Sequence, residues 1–120
     1  MPGRTPMPGK NDSVPVLQGT LDMLILKALA WNPNHGFGIL RQLEQVTGEE
    51  LRIEEGALYP ALHRMHARGW VEAEWGVSEN NRRARFYRLS AAGEHELRKR
   101  VSDWRRIVRV TSRVLEASPA

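Results

Sequence analysis

The segment Leu17–Trp31 constrains this chain more than any other. Leu21, Met23, Leu24, Ile25, Leu26, Ala28 and Leu29 leave only Asp22 and Lys27 as charged interruptions after Thr20. A surface helix carries one apolar stripe. A helix that is apolar nearly all round has to be covered on two sides. The chain has 120 residues and a hydrophobic fraction of 41%, enough for one modest core. The expectation is that the second cover comes from another subunit.

The rest of the chain supplies elements in a definite order. Asn32-Pro33-Asn34 reads as a turn. Ile39, Leu40, Leu43 and Val46 repeat at helical spacing and predict a second helix from about Gly36 to Val46, stopped at Gly48. After the link Glu49–Glu54, the buried stripe Leu58, Leu62 and Met65 predicts a third helix from about Gly56 to Arg68. Pro60 fits it only near its start, where a missing N–H costs little. Val71, Ala73 and Trp75 alternate with Glu72 and Glu74, the period of a half-buried strand. Arg85–Leu89 reads as the returning strand, across the polar loop Gly76–Arg83.

Ser90 caps a long last helix in which Leu97, Val101, Trp104, Val108, Thr111 and Leu115 form a heptad seam. The predicted fold is mainly α with a small β-hairpin: a winged helix-turn-helix over 16–90 and a long C-terminal dimerisation helix over 91–117. Residues 1–15, with Pro2, Pro6, Pro8 and Pro15 between Gly3 and Gly9, are expected to be a disordered tail.

Composition removes several classes of function. Without cysteine there are no disulfides, thiolate metal sites or thiol nucleophiles, which fits a cytoplasmic setting. No segment has the apolar run of a signal peptide or a membrane span. Gly36-Phe37-Gly38 lacks the third glycine of a dinucleotide-binding turn, and His63 and His66 have no third ligand nearby. There is no P-loop, nucleophile elbow or zincin motif. No metal, cofactor or enzymatic activity is expected.

Lys plus Arg number 18 against 14 Asp plus Glu, a net charge of +4 that permits a polyanionic partner without requiring one. The placement of charge says more. Residues near the start of a recognition helix reach the major groove; here they are Ala57, Tyr59, His63 and Arg64. Arg82, Arg83, Arg85 and Arg88 crowd the hairpin, with Asn80 and Asn81 at its tip, a cluster suited to a nucleic-acid backbone or groove. The arginines of the last helix read as a solvated face. A homodimer would bring Leu21 and Leu24 of the first helix against Leu97, Val101, Trp104, Val108 and Leu115 of the last. Trp104 reads as an aromatic anchor of that interface or as a platform for a flat ligand. The partner read from these features is duplex DNA with a palindromic operator. The alternative is a helical interaction module whose basic face docks an acidic protein.

Leu17-Gln18-Gly19-Thr20-Leu21, His35-Gly36-Phe37, the run Glu55–Met65 (EGALYPALHRM) and the run Ser78–Ser90 (SENNRRARFYRLS), with Ala92-Gly93 and Leu97, together resemble the PadR family of transcriptional regulators. The resemblance covers about Leu17 to Leu115 and points to the short-tailed members with one C-terminal helix. It implies a winged-helix fold, a homodimer, repression, and DNA contact by Tyr59 and the wing from Arg82 to Arg85. In some short-tailed members a flat aromatic compound binds at the dimer interface beside a tryptophan, for which Trp104 is the matching position. The chain departs from the common pattern at Ala57, where Ser or Thr is usual, and at Met65-His66, where Leu-Glu is common.

Overall fold

The computed structural model describes Val14–Pro15 and residues 18–119. The elements, in chain order, are β1 (Val14–Pro15), α1 (Gln18–Trp31), β2 (Asn34–His35), α2 (Gly36–Val46), β3 (Leu51–Arg52), α3 (Glu55–Ala67), β4 (Val71–Val77), β5 (Arg83–Leu89) and α4 (Ala91–Glu116). The tail expected over 1–15 lies outside the described residues, except that Val14–Pro15 pairs in parallel with Leu51–Arg52. The turn expected at Asn32–Asn34 is shorter than the sequence suggests. Asn34 and His35 form a third strand on the hairpin, opposite Tyr87 and Phe86, giving the sheet order β2-β5-β4.

The all-round apolar α1 is the centre of the molecule. It packs against α2, α3, β5 and α4 of its own chain. Leu21, Ile25, Leu26, Ala28 and Leu29 are buried there with Ile39, Leu40 and Leu43 of α2 and Leu58, Ala61, Leu62 and Met65 of α3. Val71, Tyr87 and Leu97 close the core. Two expectations are corrected here. Most of the cover on α1 comes from within the chain, and Leu21 and Leu97, assigned to a dimer seam, belong to this core. Met23 and Leu24 remain half-buried, facing a groove beside α4, and Trp31 at the end of the helix is exposed.

The helices start and stop for local reasons. The His35 ring caps α2: its Nδ1 accepts from the Gly38 N–H at 3.1 Å. The Ser90 hydroxyl caps α4 in the same way, accepting from the Gly93 N–H at 3.0 Å. Glu94 in the first turn and Arg113 in the last complement the α4 dipole. Pro60 lies inside α3 rather than in its first turn. The carbonyl it leaves without a helical partner is that of Gly56, an exposed residue.

The start of α4 is fastened to the end of α3. Ser90 Oγ donates to the Gly69 carbonyl at 2.6 Å, and the Ser90 N–H donates to the Trp70 carbonyl at 3.0 Å. Position 93 must be glycine, because a β-carbon there would collide with the Trp70 carbonyl oxygen. From this anchor α4 runs 26 residues, about 39 Å at 1.5 Å each. Beyond Val101 it leaves the body, and Trp104, Ile107, Val108, Val110, Val114 and Leu115 are all exposed. Among the described residues no helix is long and apolar enough to cross a membrane.

Candidate nucleic-acid interface

α3 buries Leu58, Ala61, Leu62 and Met65 and turns Ala57, Tyr59, Pro60, His63 and His66 outward. Tyr59 is 50% exposed. Its ring lies against Gly36 so closely that a β-carbon at position 36 would stand 2.6 Å from Cε1. Glycine at the start of α2 is therefore what allows the tyrosine to lie there with its hydroxyl near the surface. The hydroxyl can donate to a phosphate oxygen.

Arg64 is not part of that outward face, although the sequence reading gave it to base edges. Its Nη2 donates to Asp22 Oδ1 at 3.0 Å, and Asp22 is buried in α1. The Arg64 guanidinium, on a side chain 34% exposed, is thus engaged by a buried carboxylate rather than free. The exposed face of α3 thus carries Tyr59, His63 and His66 and no arginine before Arg68, which lies over the Trp70 ring.

The wing supplies the charge. β4 and β5 pair from Val71↔Leu89 out to Val77↔Arg83. At the tip Ser78 N–H donates to the Arg82 carbonyl at 2.8 Å and Asn81 N–H to the Ser78 carbonyl at 2.9 Å. Asn81 closes the turn at φ 58°, in the left-handed region that asparagine tolerates better than most residues. Asn80, Asn81, Arg82, Arg83 and Arg85 are exposed. Among the described residues Arg82, Arg83 and Arg85 take part in no ion pair. Arg88 differs: it pairs with Glu72 at 2.6 Å and Glu74 at 3.7 Å on the other face of the sheet, so it drops out of the cluster.

The sequence reading missed three residues at this surface. The first is Trp75, expected to face inward from its alternation with glutamates. It is 59% exposed, because β4 outruns the core after Ala73. The Arg83 guanidinium lies 4.5 Å from its ring centroid, so the wing arginine is held on an aromatic platform. The others are His35 and Glu79. His35 Nε2 is 3.1 Å from Glu79 Oε1, and the imidazole also meets Phe86 edge-on at 5.2 Å between centroids. With Nδ1 accepting from Gly38, Nε2 is the donor. The hydrogen bond to His35 holds the Glu79 carboxyl below the usual carboxylate range. The start of α2 therefore touches Tyr59 of α3 at Gly36 and the wing tip at His35. A signal existed for Trp75, in the arginines that follow its register. None existed for Glu79, whose partner is 44 residues away.

The residues assigned to a dimer divide along α4. Leu97 is buried and Val101 half-buried; Trp104, Val108 and Leu115 are exposed, Trp104 by 46% and Leu115 by 78%. Met23 and Leu24 of α1 with Leu97, Val101 and Trp104 form the apolar floor of an open groove of about 840 Å³, rimmed by Lys27, Arg98, Arg105 and Arg109.

Comparison with known proteins agrees with this geometry. The profile of the transcriptional regulator PadR-like family matches residues 25–99. A transcriptional regulator from Clostridium thermocellum is similar in structure at a TM-score of 0.73 and 25% identity, over 80% of this chain and 93% of that one. A PadR family transcriptional regulator from Eggerthella lenta matches at a TM-score of 0.73 and 27% identity, over 84% and 86%. An uncharacterised protein of Lysinibacillus sphaericus is 23% identical over 84% of this chain and 93% of its own length.

Proposed function

Since the chain belongs to the PadR-like family of transcriptional regulators, we propose that it binds a palindromic operator in duplex DNA as a homodimer and represses transcription from it in the cytoplasm. The observation that carries this reading is the set of exposed wing arginines without acidic partners, Arg82, Arg83 and Arg85, beside a helix whose outward face is Ala57, Tyr59 and His63. Wing arginines neutralise phosphates without regard to sequence, and Asn80 and Asn81 add adaptable donors at the tip. The α3 face reads base edges, with His63 the side chain that can donate or accept there and Tyr59 bound to the backbone. Arg64 is left out of this interface for the reason given above.

Dimerisation follows from the exposed apolar stripe on α4. Trp104, Val108 and Leu115 cover one another or the Met23–Leu24 groove when a second copy packs alongside, and large exposed apolar patches mark such surfaces. The same groove, with Trp104 in its wall, suits a flat aromatic effector that releases the operator.

The experiment is a salt titration of duplex binding. Each phosphate neutralised contributes about 0.9 to the slope of log affinity against log salt. Arg82→Ala with Arg83→Ala flattens the slope by up to about 1.8 and weakens operator and random duplex alike. A double variant with the parental slope takes the wing out of the interface.

A further inference from the structure

Two arginines from two helices meet on one buried carboxylate of a third. Asp22 of α1, its side chain 9% exposed, takes Arg64 of α3 at 3.0 Å and Arg100 of α4 at 3.8 Å. Arg100 is itself held by Glu96 one turn back, at 2.7 Å, and its guanidinium lies 5.1 Å from the Trp70 ring centroid. The charges balance, two carboxylates against two guanidinium groups.

Such a cluster has a poor case as a stabiliser. Buried ion pairs recover their desolvation cost only with good geometry, and apolar replacements are often neutral. They do differ from apolar contacts in being directional. A leucine cluster accepts small slides between helices, whereas the charged hydrogen bond from Arg64 to Asp22 is directional, and the Arg100 ion pair at 3.8 Å draws α4 toward the same carboxylate. The elements joined here are those whose relative placement matters most. α3 carries the outward face read above as the DNA reader, and α4 carries the exposed stripe that leaves the body. Their other link, Ser90 and Gly93 against Gly69 and Trp70, is a pivot at one end of each helix. Beside that pivot Leu97 is buried in the core with Val101 against it, apolar packing that tolerates small changes of angle. The Asp22 cluster adds a charged attachment away from that pivot and narrows the range of angles the apolar packing allows.

We infer that Arg64 and Arg100 are positioning residues: by sharing the Asp22 carboxylate they set the angle of the recognition helix against the C-terminal helix, and so the presentation of α3 to DNA. The part concerning DNA rests on the function proposed above; the part concerning helix orientation does not.

The chain has no cysteine, so spin labels can be placed freely. Labels go on His66→Cys of α3 and Arg113→Cys of α4, both exposed positions. Labelled chains are diluted with unlabelled ones, so that only distances within a chain are read. The parent gives a narrow distance distribution. Asp22→Asn keeps the shape of the side chain and removes the shared charge; it widens or shifts the distribution. The preference for operator over random duplex falls by about 2- to 30-fold, the range that interior networks transmit between sites. Arg100→Met, which takes the guanidinium off Asp22, widens the distribution as well, and a parental distribution in that variant removes Arg100 from the positioning pair. If Asp22→Asn does not fold, Asp22→Leu with Arg64→Met removes the charges in pairs and gives the same widening. Folded variants with the parental distribution overturn the inference whatever the DNA result. A widened distribution with unchanged discrimination upholds the positioning and removes α3 from the DNA reading.

Discussion

Glu79 places a negative charge at the tip of a wing proposed to approach phosphates, and its partner changes what that charge does. The hydrogen bond from His35 fastens the carboxylate to the start of α2, so it becomes a tether for the tip. Its pKa is depressed, chiefly by that bond. A depressed carboxyl contributes stability above its unfolded value and loses it as the pH falls through its folded value. The tether is therefore intact at neutral pH and released in acid, below the ordinary carboxylate range. Carbon-detected titration of Glu79 checks this. The depressed midpoint returns to the ordinary range in His35→Gln, and a parental Glu79 that already titrates there contradicts the tether. Arg64 makes the complementary point about what a sequence hides. On a helical wheel it is polar and reads as outward. Only the fold brings it to Asp22, 42 residues earlier.

At the scale of elements, legibility followed the length of the repeating pattern. The bounds of α2 and the extent of α4 were readable, because apolar residues recur over several turns and Ser90 stands where a cap belongs; the His35 cap of α2 was not, since histidine is no usual cap. The short strands β1, β2 and β3 were not readable, because two residues carry no period and their partners are distant. The Asn-Pro-Asn signal even argued for a turn where β2 begins. Periodicity also says that a face is covered without saying by what. This is why the α1 cover and Leu97 were assigned to a second subunit when the chain supplies them itself. The distinction separates two substitutions on α4. Leu97→Asp puts a charge into the core of one chain and unfolds it. Val108→Asp, on the exposed stripe, leaves the fold and its melting cooperative and shifts the species in sedimentation from dimer to monomer. Val108→Asp still sedimenting as a stable dimer shows that the stripe is not the interface.

For the molecule as a whole, the proposed dimer would connect oligomeric state to DNA binding through the projecting α4. Two recognition helices fixed on crossing α4 helices meet half-sites one helical turn, or a multiple of it, apart. In the proposed dimer a ligand lodged beside Trp104 would alter that crossing, provided it binds one dimer shape more tightly than the other. Planar aromatic compounds are accordingly expected to quench Trp104 fluorescence and release the operator over the same concentration range. Trp104→Phe identifies the signal against Trp31, Trp70 and Trp75. Quenching without release makes the groove a binding site with no regulatory role.

Selection of bound duplexes from a random pool separates a dimeric reader of DNA sequence, as proposed here, from a merely basic surface. A dimeric reader enriches one palindrome whose half-sites are about 10–10.5 base pairs apart, or a multiple of that, and Val108→Asp loses the enrichment. A pool that stays random after repeated rounds, while still binding in a salt-dependent way, contradicts that proposal.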